Sequence, residues 1–385
     1  MNRVKFLNYV KNAILTTPTY PNCRVNGENP YDEQIMSMPS MVNSSSATTS
    51  TVNMKIKGGR YFFFIFNLSN YFHFIYDTLP YLAHHMDMNS DSKLLLPKDH
   101  KWLRFQREFL ELLGYKQFEY AEDDTSYEHL YIPSSFTHGK TKDKLWASNQ
   151  PPSEDAFRIW EMLRTSTIST QPRKFYVSRR TWIHGDTSNI GTNYTMRRRC
   201  MNEDEVVDTL KDYGYEEIFT ENMSTIDKIA LFQNATHIIG FIGGGMANIL
   251  FSDPPTKVGC INTPEFLKIN ERFKYTMDHT RCNYANITYH SPYEGPYPLY
   301  TRIKVTDITS PYHGKIGEIE SHDATNNVYS IKMSNNDVAG FAQDNVFELA
   351  EFSYSQFETL DNGLNSPFLC DINGLRALAE YLDKP

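Results

Sequence analysis

The sequence predicts an α/β protein of two successive Rossmann-like units, followed by a small β-barrel and a helical tail. Three observations carry this. Strand-like and helix-like patterns alternate from residue 56 to about 295, as parallel-sheet units require. One strand in the second series runs into Gly243, Gly244 and Gly245 and then a short helix. Beyond 296, short β-runs follow one another with only turn residues between them. The expected boundaries are 1–150 and 151–295 for the two α/β units, 296–350 for the barrel and 351–385 for the tail.

The first unit opens after S-M-P-S-M-V-N-S-S-S-A-T-T-S-T-V-N (37–53), a low-complexity stretch that reads as an exposed loop. R-Y-F-F-F-I-F (60–66) is a buried strand, 70–86 is helical, and K-L-L-L-P (93–97) is a strand. A helix over 101–114 ends at Gly114, and H-L-Y-I-P (129–133) is another strand. Pro151 and Pro152 then precede a helix near 154–166, and K-F-Y-V-S-R-R (174–180) starts the second series. Asn202 with Glu205 makes a capping-box-like start for a helix carrying Val206, Val207 and Leu210. Ser224 with Asp227 does the same for a helix carrying Ile226, Ile229 and Ala230. T-H-I-I-G-F (236–241), the glycine turn and K-V-G-C-I-N (257–262) complete the second sheet.

After 296 the runs R-I-K-V-T, G-K-I-G-E-I-E, N-V-Y-S-I-K-M and V-A-G-F-A predict the barrel. Its G-K-I-G-E-I start and D-N-V-F-E-L exit resemble the SH3-like or KOW type. The tail D-I-N-G-L-R-A-L-A-E-Y-L is a helix able to pack on either α/β unit.

The 385 residues carry a net charge of −8, which argues against a dedicated nucleic-acid or anionic-membrane binder. Any anion site must be built locally. The five cysteines are scattered without a C-x-x-C pair, so a zinc ribbon does not fit and free thiols are expected. No signal-peptide pattern or transmembrane run stands out, so a cytoplasmic location is expected and the six N-x-[ST] triplets carry little weight. The asparagine-, tyrosine- and lysine-rich composition fits an AT-rich viral or microbial genome.

Four places carry chemistry. The turn at Gly243, Gly244 and Gly245 either offers backbone N–H groups to a diphosphate or allows close packing of strand and helix. Ser178, Arg179 and Arg180 fall at the carboxyl edge of a strand, where open α/β sheets bind ligands. Guanidinium groups match phosphate geometry and neutralise a diphosphate without a metal, and Arg197, Arg198 and Arg199 form a second cluster. His73 and Asp77 lie four apart on one helix face, and either reads as a proton acceptor for a hydroxyl or as a core or capping residue. Glu265 falls where an acid would hold a ribose. No metal-ligand spacing, nucleophile elbow or P-loop occurs.

The segments N-Y-F-H-F-I-Y-D-T-L-P, K-F-Y-V-S-R-R with R-R-R-C-M-N-E-D-E-V-V, and M-S-T-I-D-K-I-A-L-F-Q-N-A-T-H-I-I-G-F-I-G-G-G-M-A-N-I-L-F resemble, in order and spacing, the catalytic domain of glycosyltransferase family 61. The resemblance covers about 60–265. It implies a GT-B architecture of two facing Rossmann-like domains, acceptor side first and nucleotide-sugar side second. It also implies an inverting, metal-independent transfer from a nucleotide sugar, commonly UDP-linked, to a hydroxyl of a glycan or glycoprotein, with no cofactor. Carried over residue by residue, N-x-x-H-x-x-x-D falls on Asn70, His73 and Asp77, and S-R-R on Ser178, Arg179 and Arg180. The N-E pair falls on Asn202 and Glu203, and the last G-x-x-N on Gly245 and Asn248. The expected catalytic residues are therefore His73 and Asp77. The expected donor-binding residues are Ser178, Arg179, Arg180, Gly243, Gly244, Gly245, Met246, Asn248 and Glu265. Many members have H-G-A-G-L in the turn, where this chain has Ile242 followed by G-G-G-M. That departure keeps open a catalytically inactive nucleotide- or glycan-binding protein.

Overall fold

The apolar run at Tyr61–Ile65 is buried at every position, as a strand covered on both faces must be. Most of it belongs to β3 (Lys55–Phe63), inside a six-stranded sheet with β1 (Leu7–Thr16), β2 (Arg24–Glu28), β4 (Lys93–Leu96), β5 (Glu119–Tyr120) and β6 (Thr125–Pro133), in the order β2-β1-β6-β3-β4-β5. β3, β4, β5 and β6 are parallel, whereas β1 is antiparallel to β6 and β2 to β1. The computed structural model describes residues 7–16, 24–28, 54–65, 68–88, 91–98, 100–137, 139–140, 146–147, 151–180, 199–262, 272, 274–276, 283–288, 290–292, 295–333, 348–360 and 366–384. The low-complexity stretch 37–53 lies outside them.

The helical stretch after β3 changes pitch three times, and the sequence explains why. It starts at Tyr71–His73, widens to a π turn over Phe74–Thr78, tightens to a 3-10 turn at Leu79–Tyr81 and resumes as Leu82–Asp87. Pro80 has no N–H to give to Tyr76, so the regular ladder fails there. The Leu79 N–H bonds to Phe74 O instead, and the buried Trp160 indole N–H takes Ile75 O at 2.8 Å. A buried carbonyl is thereby satisfied.

β7 (Gly139–Lys140) and β8 (Trp146–Ala147) pair as a short antiparallel ribbon, and a second sheet holds β9 (Lys174–Val177), β10 (Glu216–Ile218), β11 (His237–Phe241), β12 (Lys257–Asn262) and β13 (Asn283–Thr288) in the order β10-β9-β11-β12-β13, all parallel. Ser224 caps helix Thr225–Gln233 as expected. Asn202 differs from expectation, because its side chain makes no cap bond to helix Glu203–Asp212. It donates to Glu205 Oε2 at 3.3 Å, and bonds both backbone groups of Cys370, accepting from the N–H at 2.8 Å and donating to the carbonyl at 3.0 Å. Strand β20 (Phe368–Cys370) is thus tied to residues 199–202 and also pairs with β14 (His290–Pro292). Helix Ile372–Asp383 then packs on the second sheet, where a Cβ on Gly259 would stand 2.8 Å from Leu382 Cδ1. Cys200, Cys260 and Cys370 are buried free thiols, as read from their spacing.

The C-terminal β module is a five-stranded antiparallel sheet ordered β18-β17-β16-β15-β19, from β15 (Arg302–Val305), β16 (Ile316–Asp323), β17 (Val328–Met333), β18 (Glu348–Ser353) and β19 (Phe357–Thr359). Its own core includes Ile303, Ile319, Tyr329, Ile331 and Phe352. The expected closed barrel is not seen: among the described residues β18 and β19 form two edges with no pairing between them. V-A-G-F-A falls outside the described residues, and the boundary expected at 350 lies within β18.

The two α/β sheets share one apolar cluster running from Val10 to Cys260. Polar contacts reinforce the junction. The Arg104 guanidinium donates to Glu221 O and Met223 O, and the Glu108 carboxylate accepts from the N–H of Thr225 at 2.7 Å, where a helix N-terminus favours a negative charge. No helix among the described residues is long and apolar enough to cross a membrane.

Candidate functional site

Both candidate clusters sit at carboxyl edges of parallel strands. His73 and Asp77 follow β3, and Thr137 follows its neighbour β6. The Asn70 side chain caps the helix start by accepting from His73 N at 3.2 Å. His73 Nδ1 meets Asp77 Oδ2 at 2.6 Å, so the carboxylate holds the proton on Nδ1 and leaves the lone pair on Nε2. Asp77 is fully buried while the His73 side chain keeps 35% of its surface exposed. Asp77 Oδ1 accepts from Thr137 Oγ1 at 2.5 Å, and Asp77 Oδ2 also receives Arg272 Nη1 at 3.3 Å. The i, i+4 spacing announced the pair; the other two partners come from far along the chain and had no local signal.

At the carboxyl edge of the second sheet, Ser178, Arg179 and Arg180 follow β9, Thr220 and Glu221 follow β10, and the glycines follow β11. One carboxylate oxygen of Glu203, Oε1, accepts from Tyr176 Oη at 2.8 Å, Ser178 Oγ at 3.2 Å and Arg179 N at 2.7 Å. The N-E and S-R-R segments therefore form one unit in which Glu203 fixes the backbone that presents Arg179. Burial pushes the Glu203 carboxyl above the usual range and the Arg179 guanidinium below its usual value, with these contacts opposing both shifts. Arg180 turns to carboxylates: its fork bonds Glu217 at 2.8 and 2.6 Å and Asp204 pairs with it, and the Glu217 bonds raise its pKa. The hydroxyl of Ser178 and the fork of Arg180 are thus engaged within the protein.

None of Gly243, Gly244 and Gly245 has a positive φ, so the turn does not need glycine for a left-handed backbone. Packing is the reason at Gly245, where a Cβ would stand 2.8 Å from Val177 Cγ1 and 3.1 Å from Thr220 Oγ1. At Gly244 a Cβ would make only ordinary contact, 3.7 Å from Tyr71 Cβ. Gly245–Phe251 is a 3-10 helix, with Met246 and Asn248 buried in it. Asn248 Nδ2 donates to Gly245 O at 2.9 Å and its Oδ1 accepts from Tyr71 Oη at 2.6 Å. Ile242 is 2% exposed. Glu265, Arg197 and Arg198 lie outside the described residues, as does any contact they make.

Tyr71 brings the two clusters together. It stands two residues before His73, bonds the glycine-turn helix, and carries Lys228 Nζ over its ring at 4.8 Å. Lys228 is 3% exposed on helix Thr225–Gln233, and burial, with Arg104 nearby, pulls its pKa down to about 8 against the attraction of Glu108 and Glu221. No motif announces Lys228, although a lysine beside Ile229, Ala230, Leu231 and Phe232 is a visible oddity in the sequence. Among the described residues no group of three or more His, Cys, Asp or Glu could hold a metal ion.

No curated protein matches the chain. Residues 71–259 match the family described as Glycosyltransferase 61, a span that runs from Tyr71 through both clusters to the Gly259 of β12. That stretch is similar to the glycosyltransferase 61 family, and on this match the protein is a glycosyltransferase.

Proposed function

We propose that the enzyme transfers a sugar from a nucleotide sugar, UDP-linked, to a hydroxyl of a glycan or glycoprotein, with inversion and without a metal or other cofactor. The two α/β units act as a GT-B-type pair, acceptor side first and donor side second. His73 Nε2 takes the proton of the acceptor hydroxyl while Asp77 holds the ring and balances the imidazolium that forms. The acceptor oxygen attacks the anomeric carbon from the face opposite the diphosphate, which leaves with the electron pair. A single displacement of this kind inverts the centre.

Buried cations at the second sheet edge stabilise the departing charge more than they would in water. Arg179 and Lys228 supply them, joined by the backbone N–H groups of the glycine turn. A 3-10 helix of seven residues offers little dipole, so this reading puts the weight on the two side chains. The observation that carries the proposal is the His73–Asp77 pair, its acid buried and its imidazole open, on the same helix start that Tyr71 links to the glycine turn.

The test is a thermal-shift and hydrolysis screen of nucleotide sugars with and without EDTA. A UDP sugar is expected to raise the melting temperature and to be turned over equally in both conditions. A strict need for Mg²⁺ or Mn²⁺ overturns the metal-free chemistry. Binding without any turnover identifies instead the inactive binding protein that Ile242 at the family's histidine position raises.

A further inference from the structure

We propose that Arg272 is a positioning residue for proton transfer, reaching from the second α/β unit to lock Asp77 beneath His73. This rests on the reading of His73 as the base. Arg272 lies between β12 and β13, both strands of the second sheet, and 195 residues after Asp77. Its side chain is 4% exposed and Asp77 is fully buried. Nη1 meets Asp77 Oδ2, the oxygen that also holds the imidazole.

The guanidinium is itself fixed. It lies 5.1 Å from the Tyr76 ring centroid and 5.7 Å from that of Phe72, and Arg272 O accepts from Tyr76 Oη at 3.3 Å and Thr276 Oγ1 at 3.0 Å. The groups that meet Asp77 include His73 on its own helix, Arg272 from the second unit and the neutral donor Thr137, while the Tyr76 phenol holds the Arg272 carbonyl.

A carboxylate this deeply buried holds its charge only with such partners. If Asp77 took up a proton or rotated, the Nδ1–H tautomer would lose its partner and the lone pair at Nε2 would no longer be fixed. Because Arg272 belongs to the donor-side unit, base alignment depends on how the two units sit together. The Tyr71–Asn248 bond joins them at the same helix start. The guanidinium also repels the imidazolium formed on proton transfer, since both cations share Oδ2.

The experiment measures kcat, donor KM and the pH profile for Arg272→Gln, Arg272→Lys and Thr137→Val. Arg272→Gln is expected to lower kcat about 10–100-fold, the range for a lost charge-assisted hydrogen bond, with donor KM unchanged. Its acid limb moves to higher pH because the imidazolium loses the repelling charge. Arg272→Lys restores most of kcat and the wild-type limb, and Thr137→Val lowers kcat in the same direction. If Arg272→Gln does not fold, Arg272→Met takes its place as the charge-removing variant. Wild-type kcat and pH limb in the folded charge-removing variant overturn the proposal, and so does a loss that tracks melting temperature with no limb shift. Near-normal turnover of His73→Ala would overturn the base reading itself. Loss in His73→Ala with an unaffected Arg272→Gln overturns the positioning role alone.

Discussion

Tyr71 Oη donates to Asn248 Oδ1 at 2.6 Å, joining two residues 177 positions apart. The bond fastens the helix start that carries His73 to the glycine-turn helix of the second sheet. Burial raises the Tyr71 pKa well above its usual value, so the phenol stays a donor across the working pH range.

Tyr71→Phe removes this donor and leaves a buried amide oxygen unmatched, which costs about 1–3 kcal/mol. We expect a lower melting temperature by calorimetry and weaker nucleoside-diphosphate binding, since the turn loses its tether. An unchanged melting temperature and affinity would show the contact to be dispensable.

If Lys228 serves the proposed donor site, that site carries a pH signature. Its pKa is lowered to about 8 from an ordinary 10.5, so the native state loses this proton before the unfolded state does as pH rises. Between those values the unfolded chain binds more protons, and this group's contribution makes stability rise with pH. Diphosphate binding at the proposed site is expected to show the opposite trend, weakening as pH passes about 8 and the cation is lost. Titration calorimetry with UDP at pH 7 and pH 9 checks this, and Lys228→Met is expected to bind weakly and without the pH trend. A flat wild-type affinity would remove Lys228 from the site.

The glycines of the turn are not equivalent. Gly245→Ala forces a Cβ into Val177 and Thr220, and is expected to cost about 1–3 kcal/mol of stability together with donor affinity. Gly244→Ala meets Tyr71 at ordinary contact distance and is expected to fold as wild type. Equal melting temperatures for the two variants would contradict the packing described.

Most of the fold was legible because buried parallel strands read as apolar runs, as at Tyr61–Ile65 and His237–Phe241. Strand β1 was not. Its buried residues are Val10, Ala13 and Leu15, and Asn12 at φ 50° sits where the register to β2 shifts, which breaks the alternation a strand would show. The paired α-helical spacing of His73 and Asp77 was visible, but Thr137 and Arg272 reach Asp77 through tertiary folding alone. Asn202 looked like a cap because its residue type and the Glu205 three places on match that motif, yet its amide serves Cys370. The C-terminal sheet was read from its turn spacing, which says nothing of whether its edges meet.

The tail helix packs on the second α/β sheet rather than on the β module. Leu378 and Leu382 are 3% and 2% exposed against the second sheet, so Leu382→Ala should cost about 2–5 kcal/mol. Removing residues 366–385 uncovers that sheet face and is expected to abolish folding, as read by circular dichroism and solubility. A soluble, cooperatively melting truncation would contradict this placement.

The central claim is that His73, oriented by Asp77, is the base. Its most direct measurement is the turnover of His73→Ala and Asp77→Asn beside donor affinity for each variant. Both should lose at least ~100-fold in kcat, the lower range for general-base catalysis, while UDP binds as in wild type. Near-normal turnover in both variants would contradict the account and leave the pair as a buried structural contact.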